Sequence, residues 1–255
     1  MVERIRMGRL PIDVVDFAGA LEVIEGLVRA REGGMVFTPN VDHVVLAEKD
    51  DRLRAAYARV SLSLVDGVPV LWASRLLGHP LPEKVSGSDL VLPLVERAAA
   101  RGWRLFLLGG ATGVADRAAD VLRERHPGLT ICGTASPMID LKADPETRRA
   151  IGRQIAETRP DLVLVCFGAP KQEIFCDDNR DILTPAVMVC VGAGIDFVAG
   201  TARRAPAWIS KLGMEWAYRL AREPRRLAGR YLLRDPQFLG ILLRQWLGRR
   251  QPDPG

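Results

Sequence analysis

The 255 residues are 48% hydrophobic and 26% charged, the balance of a globular chain long enough to bury a full core. Cys132, Cys166, Cys176 and Cys190 show no C-x-x-C spacing and lie mostly in apolar runs. Free thiols in a reducing compartment are therefore expected, not disulfides or a metal site. The opening MVERIRMGRL has no apolar h-region and no stretch is long enough to cross a membrane, which points to the cytoplasm.

The net charge of +5 is unevenly spread: residues 203–250 hold 12 Lys/Arg against 3 Asp/Glu, and the remainder 24 against 28. An acidic-leaning body with a basic tail suggests that the tail meets an anionic partner.

Residues 4–15 alternate in short apolar steps. Helical spacing at Leu21, Ile24, Leu27 and Val28 predicts a helix over 18–30, closed by Gly33-Gly34. Met35-Val36-Phe37 reads as a strand, and Asn40 as the N-cap of the helix VDHVVLAEKD. Thr38 and Asn40 thus stand at a strand's carboxyl end, where open α/β sheets bind ligands, although a cap alone would explain Asn40. Leu62 to Val65 is the next strand. It runs into Asp66-Gly67, which reads as a turn or as a second polar strand end, and then a helix through Leu77. A loop carrying Lys84 leads to a helix ending at Arg101, with Ser88 or Asp89 as its expected cap.

Arg104 to Leu108 forms a strand that breaks at Gly109-Gly110, with a helix expected from Thr112. Leu129 to Cys132 is a further strand, and a helix opens at Pro145. Leu162 to Phe167 is apolar throughout, as in a strand covered on both faces. It feeds through Gly168 into a helix with Pro170, Lys171, Gln172 and Glu173 in its first turn. Such a helix start with a lysine suits a phosphate, or is a plain strand–helix junction. The last strand, Ala186 to Val191, ends in Gly192-Ala193-Gly194-Ile195-Asp196-Phe197. Neither glycine turn matches the dinucleotide fingerprint G-x-G-x-x-G. The repeating strand–helix order predicts an α/β fold, a Rossmann-like doubly wound and mostly parallel sheet over residues 1–200.

Residues 201–255 form a basic helical C-terminal appendage. A helix from Pro206 places Trp208, Leu212, Trp216 and Leu220 on one side. The segment QFLGILLRQWLGRR is apolar and ends in arginines, as in an interfacial helix on an anionic membrane surface. Packing against the body or another subunit is the alternative. No nucleic-acid-binding motif is present.

The stretches TPNVDHVVLA, VDGVPVLWASRLLG, KVSGSDL, FLLGGATGVA, CFGAPKQE, VGAGIDFVAGTARRAPAWISKLGMEWAYRL and REPRRLAGRYL occur in order. Together they resemble the WecG/TagA/CpsF bacterial glycosyltransferases, glycosyltransferase family 26. The resemblance implies inverting transfer from a UDP-sugar to a polyprenyl-diphosphate-linked acceptor at the inner face of the cell membrane. The donor sugar would be N-acetylmannosamine, its uronic acid or another hexose, and the product a cell-envelope glycan or exopolysaccharide. It also implies roles: Asp66 as the base, and Thr38, Asn40 and Gln172 as holders of the sugar. Lys84 stands where an arginine is frequent, keeping the charge but losing the bidentate fork. Lys171, Asp196, Arg203, Arg204, Arg219 and Arg226 complete the expected substrate-binding set. No D-x-D pair is present, so no metal and no cofactor is expected. The stretch TASPMID departs from the family pattern by lacking an aromatic residue. Oligomeric state is left open. Two rival readings are a nicotinamide-dependent oxidoreductase, disfavoured by the failed glycine fingerprints, and a non-enzymatic membrane-surface scaffold.

Overall fold

A computed structural model describes residues 2–206, 209 and 214–248. The chain opens with an antiparallel hairpin of β1 (Arg4–Met7) and β2 (Leu10–Asp13). Helix α1 (Phe17–Ala30) follows, capped by Asp16, whose side chain accepts from the Gly19 N–H.

Six strands then form one wholly parallel sheet: β3 (Gly34–Phe37), β4 (Leu62–Ser63), β5 (Arg104–Gly109), β6 (Thr130–Ala135), β7 (Leu162–Cys166) and β8 (Val187–Cys190), in the order β4-β3-β8-β7-β5-β6. Between them run α2 (Val41–Leu46), α3 (Asp51–Ala58), α4 (Val68–Leu76), α5 (Gly87–Arg101), α6 (Val114–Arg125), α7 (Pro145–Glu157) and α8 (Lys171–Leu183). Helix α9 (Gly194–Ala199) closes the body. The tail contributes α10 (Glu215–Arg222), α11 (Pro224–Ala228), a π-helical turn (Gly229–Arg234) and α12 (Gln237–Gly248).

Alternate strand residues enter two separate cores, because side chains of a strand point to opposite faces. Val163 and Val165 of β7 pack with α2, α3, α4, α7, α8 and α12, whereas Leu162, Leu164 and Cys166 pack with α1, α5, α6 and α9. Helices on both faces are why β7 reads as an unbroken apolar run. The doubly wound arrangement read from the sequence is the observed one.

At the β5–β7 pair the following connections leave in opposite directions, toward β6 and toward β8, which makes a topological switch point. Backbones approach closely there. Gly109 has φ +114°, and a Cβ on it would lie 2.4 Å from the Cys166 carbonyl oxygen.

Several boundaries differ from expectation. The helix after Asn40 ends at Leu46, and Asp50 caps a separate α3. Helix α5 begins after Ser86, so neither Ser88 nor Asp89 is its cap. Helix α6 begins at Val114, because Gly113 takes a left-handed conformation ahead of it. Pro170 precedes α8 and does not form its first turn. β6 runs on through Thr134 and Ala135, the start of the departing TASPMID stretch, and pairs there with β5. Trp208 and Leu212 of the expected tail helix lie outside the described residues.

The tail is not a detached arm. Leu227, Phe238 and Ile241 are buried, the last two in the core face shared with α2, while Leu239, Leu243 and Leu247 form an exposed stripe along α12. All four cysteines are free. Among the described residues no helix is long and apolar enough to cross a membrane.

Gly109→Ala should cost about 2–4 kcal/mol, from a strained φ and a backbone clash together. Urea unfolding followed by circular dichroism measures this directly.

Candidate active site

The carboxyl end of β4 positions the central acid. Beyond the strand the backbone stays tied to its neighbours: the Leu64 N–H donates to the Phe37 carbonyl (2.8 Å) and the Asp66 N–H to the Pro39 carbonyl (2.9 Å). Gly67 then turns with φ +106° into α4, whose first turn contains Pro69. Asp66 is therefore held rigidly beside the polar segment that ends β3.

It lies in a cleft of about 300 Å³ made by two parts of the chain. The body supplies Asn40, Val41, Asp66, Gly67, Val68, Pro69 and Lys84, and the tail supplies Glu215, Trp216, Arg219, Arg230, Tyr231, Asp235, Phe238 and Leu239. A larger groove of about 510 Å³ lies between α2–α3 and the π-helical turn, but it contains neither Asp66 nor Lys84. The chemistry favours the smaller cleft.

Burial pushes the Asp66 carboxyl above the usual carboxylate range. Lys84 and the Ser86 hydroxyl pull it down, while Glu215 and Asp89 push it further up. The Lys84 ammonium lies 3.8 Å from Asp89 and 3.9 Å from Glu215, so the tail competes for a cation that acts on Asp66. Asp235, half-buried beside Arg230, Arg234 and Asp42, is pushed up to about 6, with desolvation outweighing the two guanidinium groups.

Beneath the cleft runs a buried polar chain. Asn40 caps α2, and its side-chain oxygen accepts from the Asp42 N–H (3.0 Å) and from Arg230 Nη2 (3.1 Å). His43 closes the capping box, with Nδ1 at 3.3 Å from the Asn40 N–H and Nε2 at 3.0 Å from Glu173 Oε1. Glu173 is fully buried and also accepts from Gln172 Nε2 at 2.8 Å.

Of the residues expected from sequence, the cleft gathers Asn40, Asp66, Lys84 and Arg219. Thr38 and Gln172 do not reach it. Thr38 is buried and donates to the Cys190 carbonyl, and Gln172 is buried against Glu173. Lys171 and Arg203 are exposed outside it. Asp196 accepts from the Cys166 thiol and the Thr201 hydroxyl, and Arg204 pairs with Asp89 at 2.6 Å while stacking over Phe197. These two fasten the start of the tail instead of facing the cleft. The Arg226 side chain lies outside the described residues. Sequence reasoning missed Glu215, Arg230, Tyr231 and Asp235, and the His43–Glu173 pair. Arg230 stood in the quoted REPRRLAGRYL stretch, from which the sequence reading took Arg226 instead.

A sequence model described as the glycosyl transferase WecG/TagA/CpsF family matches residues 5–252. The chain belongs to this family. It is a glycosyltransferase, and the acid at the strand end is to be read in that light. A Bacillus spizizenii protein is similar, 28% identical over 222 residues that span 87% of this chain and 83% of the relative. A Bacillus subtilis protein is 28% identical over 213 residues, covering 84% of this chain and 80% of the relative. Both relatives are named N-acetylglucosaminyldiphosphoundecaprenol N-acetyl-beta-D-mannosaminyltransferase.

Because Glu215 helps to raise the Asp66 pKa, Glu215→Gln should lower it. With Asp66 as the base that the resemblance implies, which works when deprotonated, the acid limb of the kcat/KM profile should move to lower pH. A limb that stays in place would remove Glu215 from the electrostatics of the base.

Proposed function

We propose that this glycosyltransferase moves a sugar from a UDP-sugar to an N-acetylglucosamine carried on a polyprenyl diphosphate, inverting the anomeric centre. One observation carries the reading: a carboxyl group with a raised pKa, fixed at a strand end, faces two tail arginines across a cleft. In the transfer Asp66 takes the proton of the acceptor hydroxyl as its oxygen bonds to the anomeric carbon. The bond from that carbon to the diphosphate breaks on the opposite side, and UDP leaves with the electron pair.

Arg219, Arg230 and Lys84 are the cations that line the cleft, and they would receive the charge developing on the diphosphate. These side chains supply positive charge where other sugar-nucleotide enzymes use a metal, so metal-independent transfer is part of the proposal. Asn40 lines the proposed sugar site, and Gln172 is linked to it only through Glu173 and His43. Trp216, Phe238 and Leu239 give the same cleft an apolar side, suited to the first prenyl units of the acceptor.

The acceptor's lipid places the enzyme at a membrane surface, as a peripheral protein. The exposed stripe of Leu239, Leu243 and Leu247 is the proposed contact with the bilayer. The names of the two Bacillus relatives support N-acetylmannosamine as the donor sugar.

Asp66→Asn should lower turnover with UDP-N-acetylmannosamine and a synthetic lipid-diphosphate N-acetylglucosamine about 10²–10⁴-fold, with UDP affinity retained. Turnover at the unaltered rate would remove Asp66 as the base. Replacing Leu239, Leu243 and Leu247 together by Glu should release the protein from anionic liposomes in a flotation assay. These positions are exposed, so folding is expected to survive; unchanged flotation would place the membrane contact elsewhere.

A further inference from the structure

We propose that Asp42 is a positioning residue for Arg230, fixing its guanidinium at the cleft edge where the leaving diphosphate would be received. The proposal rests on the donor reading above and goes beyond it to a residue outside the cleft.

Asp42 is 3% exposed and sits in the first turn of α2, where the helix dipole favours a negative charge. Its Oδ2 lies 3.3 Å from Arg230 Nε and its Oδ1 2.9 Å from Arg234 Nη1. Asn40 Oδ1 accepts from Arg230 Nη2, and Nε faces two carboxylates, Asp42 and, at 3.8 Å, Asp235, as ion pairs without a hydrogen bond. The Arg230 guanidinium also lies over the Tyr231 ring, 5.2 Å from its centroid. No hydrogen bond to Arg230 Nη1 is found among the described residues, which leaves a donor edge for a ligand oxygen.

A flexible arginine loses side-chain entropy on meeting a phosphate, and a fork clamped beforehand loses less. Asp42 supplies that clamp from the body, and the arginine comes from the tail. The tail does not need Asp42 in order to dock. Gln245 donates to the Arg6 carbonyl and accepts from the Gly8 N–H, Arg244 pairs with Glu48 at 2.7 Å, and Phe238 and Ile241 are buried in the core. The consequence of losing Asp42 should therefore fall on Arg230, and Arg234 shares the carboxylate without lining the cleft.

A double-mutant cycle on the full chain tests this, with UDP as the calorimetric probe and transfer kinetics alongside. Asp42→Asn and Arg230→Gln should each weaken UDP binding about 10- to 100-fold, and the double variant should bind no worse than Arg230→Gln alone. Losses that multiply would show that Asp42 acts independently of Arg230 and overturn the proposal. Unchanged affinity in Asp42→Asn would do the same, as would loss of its cooperative melting transition.

Arg234→Ala provides a check that leaves Asp42 intact. It should change UDP affinity by no more than about twofold, as for a partly exposed ion pair. A loss matching that of Arg230→Gln would mean that the whole cluster, and not Arg230, is what Asp42 serves. If the unaltered chain binds no UDP, the donor reading fails and this proposal falls with it; additive losses in a chain that does bind UDP defeat the proposal alone.

Discussion

The cleft depends on one junction, where guanidinium groups from the basic tail meet acceptors buried at the start of α2. Asp42 and Asn40 lie at the amino end of that helix and face Arg230 and Arg234. Taking a carboxylate out of water is costly unless it is paired and hydrogen-bonded, and here both conditions are met by residues some 190 positions away in sequence. The junction therefore sets where these guanidinium groups stand in a tail that other contacts dock. With the tail in place, Asp66 faces Arg219 and Arg230 across an enclosed space; the body alone contributes only half of the lining.

Apolar packing and polar pairing divide the work. Phe238 and Ile241 tie α12 to the face of the sheet that also packs α2, α3 and α8, and this burial is what holds the tail against the body. The polar contacts then set where individual charges stand. Glu215 stands near Lys84 and opposes its pull on Asp66, so the Asp66 carboxyl is kept easier to protonate than a solvated one. The Asp66 carboxyl is thus tuned from both sides of the cleft. The same docking leaves Leu239, Leu243 and Leu247 facing outward beside the cleft's apolar wall, so an exposed apolar stripe is continuous with the cleft.

Much of the architecture was legible from periodicity. An unbroken apolar run such as Leu162 to Cys166 has few homes other than a parallel strand covered on both faces, and the alternation of strands with helices limits how such strands are connected. Misplaced boundaries came from backbone conformations that residue type only suggests, as at Gly113 and Ser86. The site was legible in part for the same reason. Asp66 and Asn40 stand at strand ends, and that position is a property of local sequence.

What the sequence by itself determined is the sheet, its two apolar faces and the polar residues at its carboxyl edge, because each follows from spacing within a few residues. Which basic residue enters the cleft was decided only by tertiary structure. Arg203, Arg204, Arg219 and Arg230 are chemically the same, and their roles diverge through partners far away in the chain: Asp89 for Arg204, Asn40 and Asp42 for Arg230. Gln172 shows the converse. It stands one residue from an exposed lysine at the start of α8, yet the inward turn of that helix buries it against Glu173. Long-range pairing of buried charges leaves no periodic trace, and so it had to be seen in the folded chain.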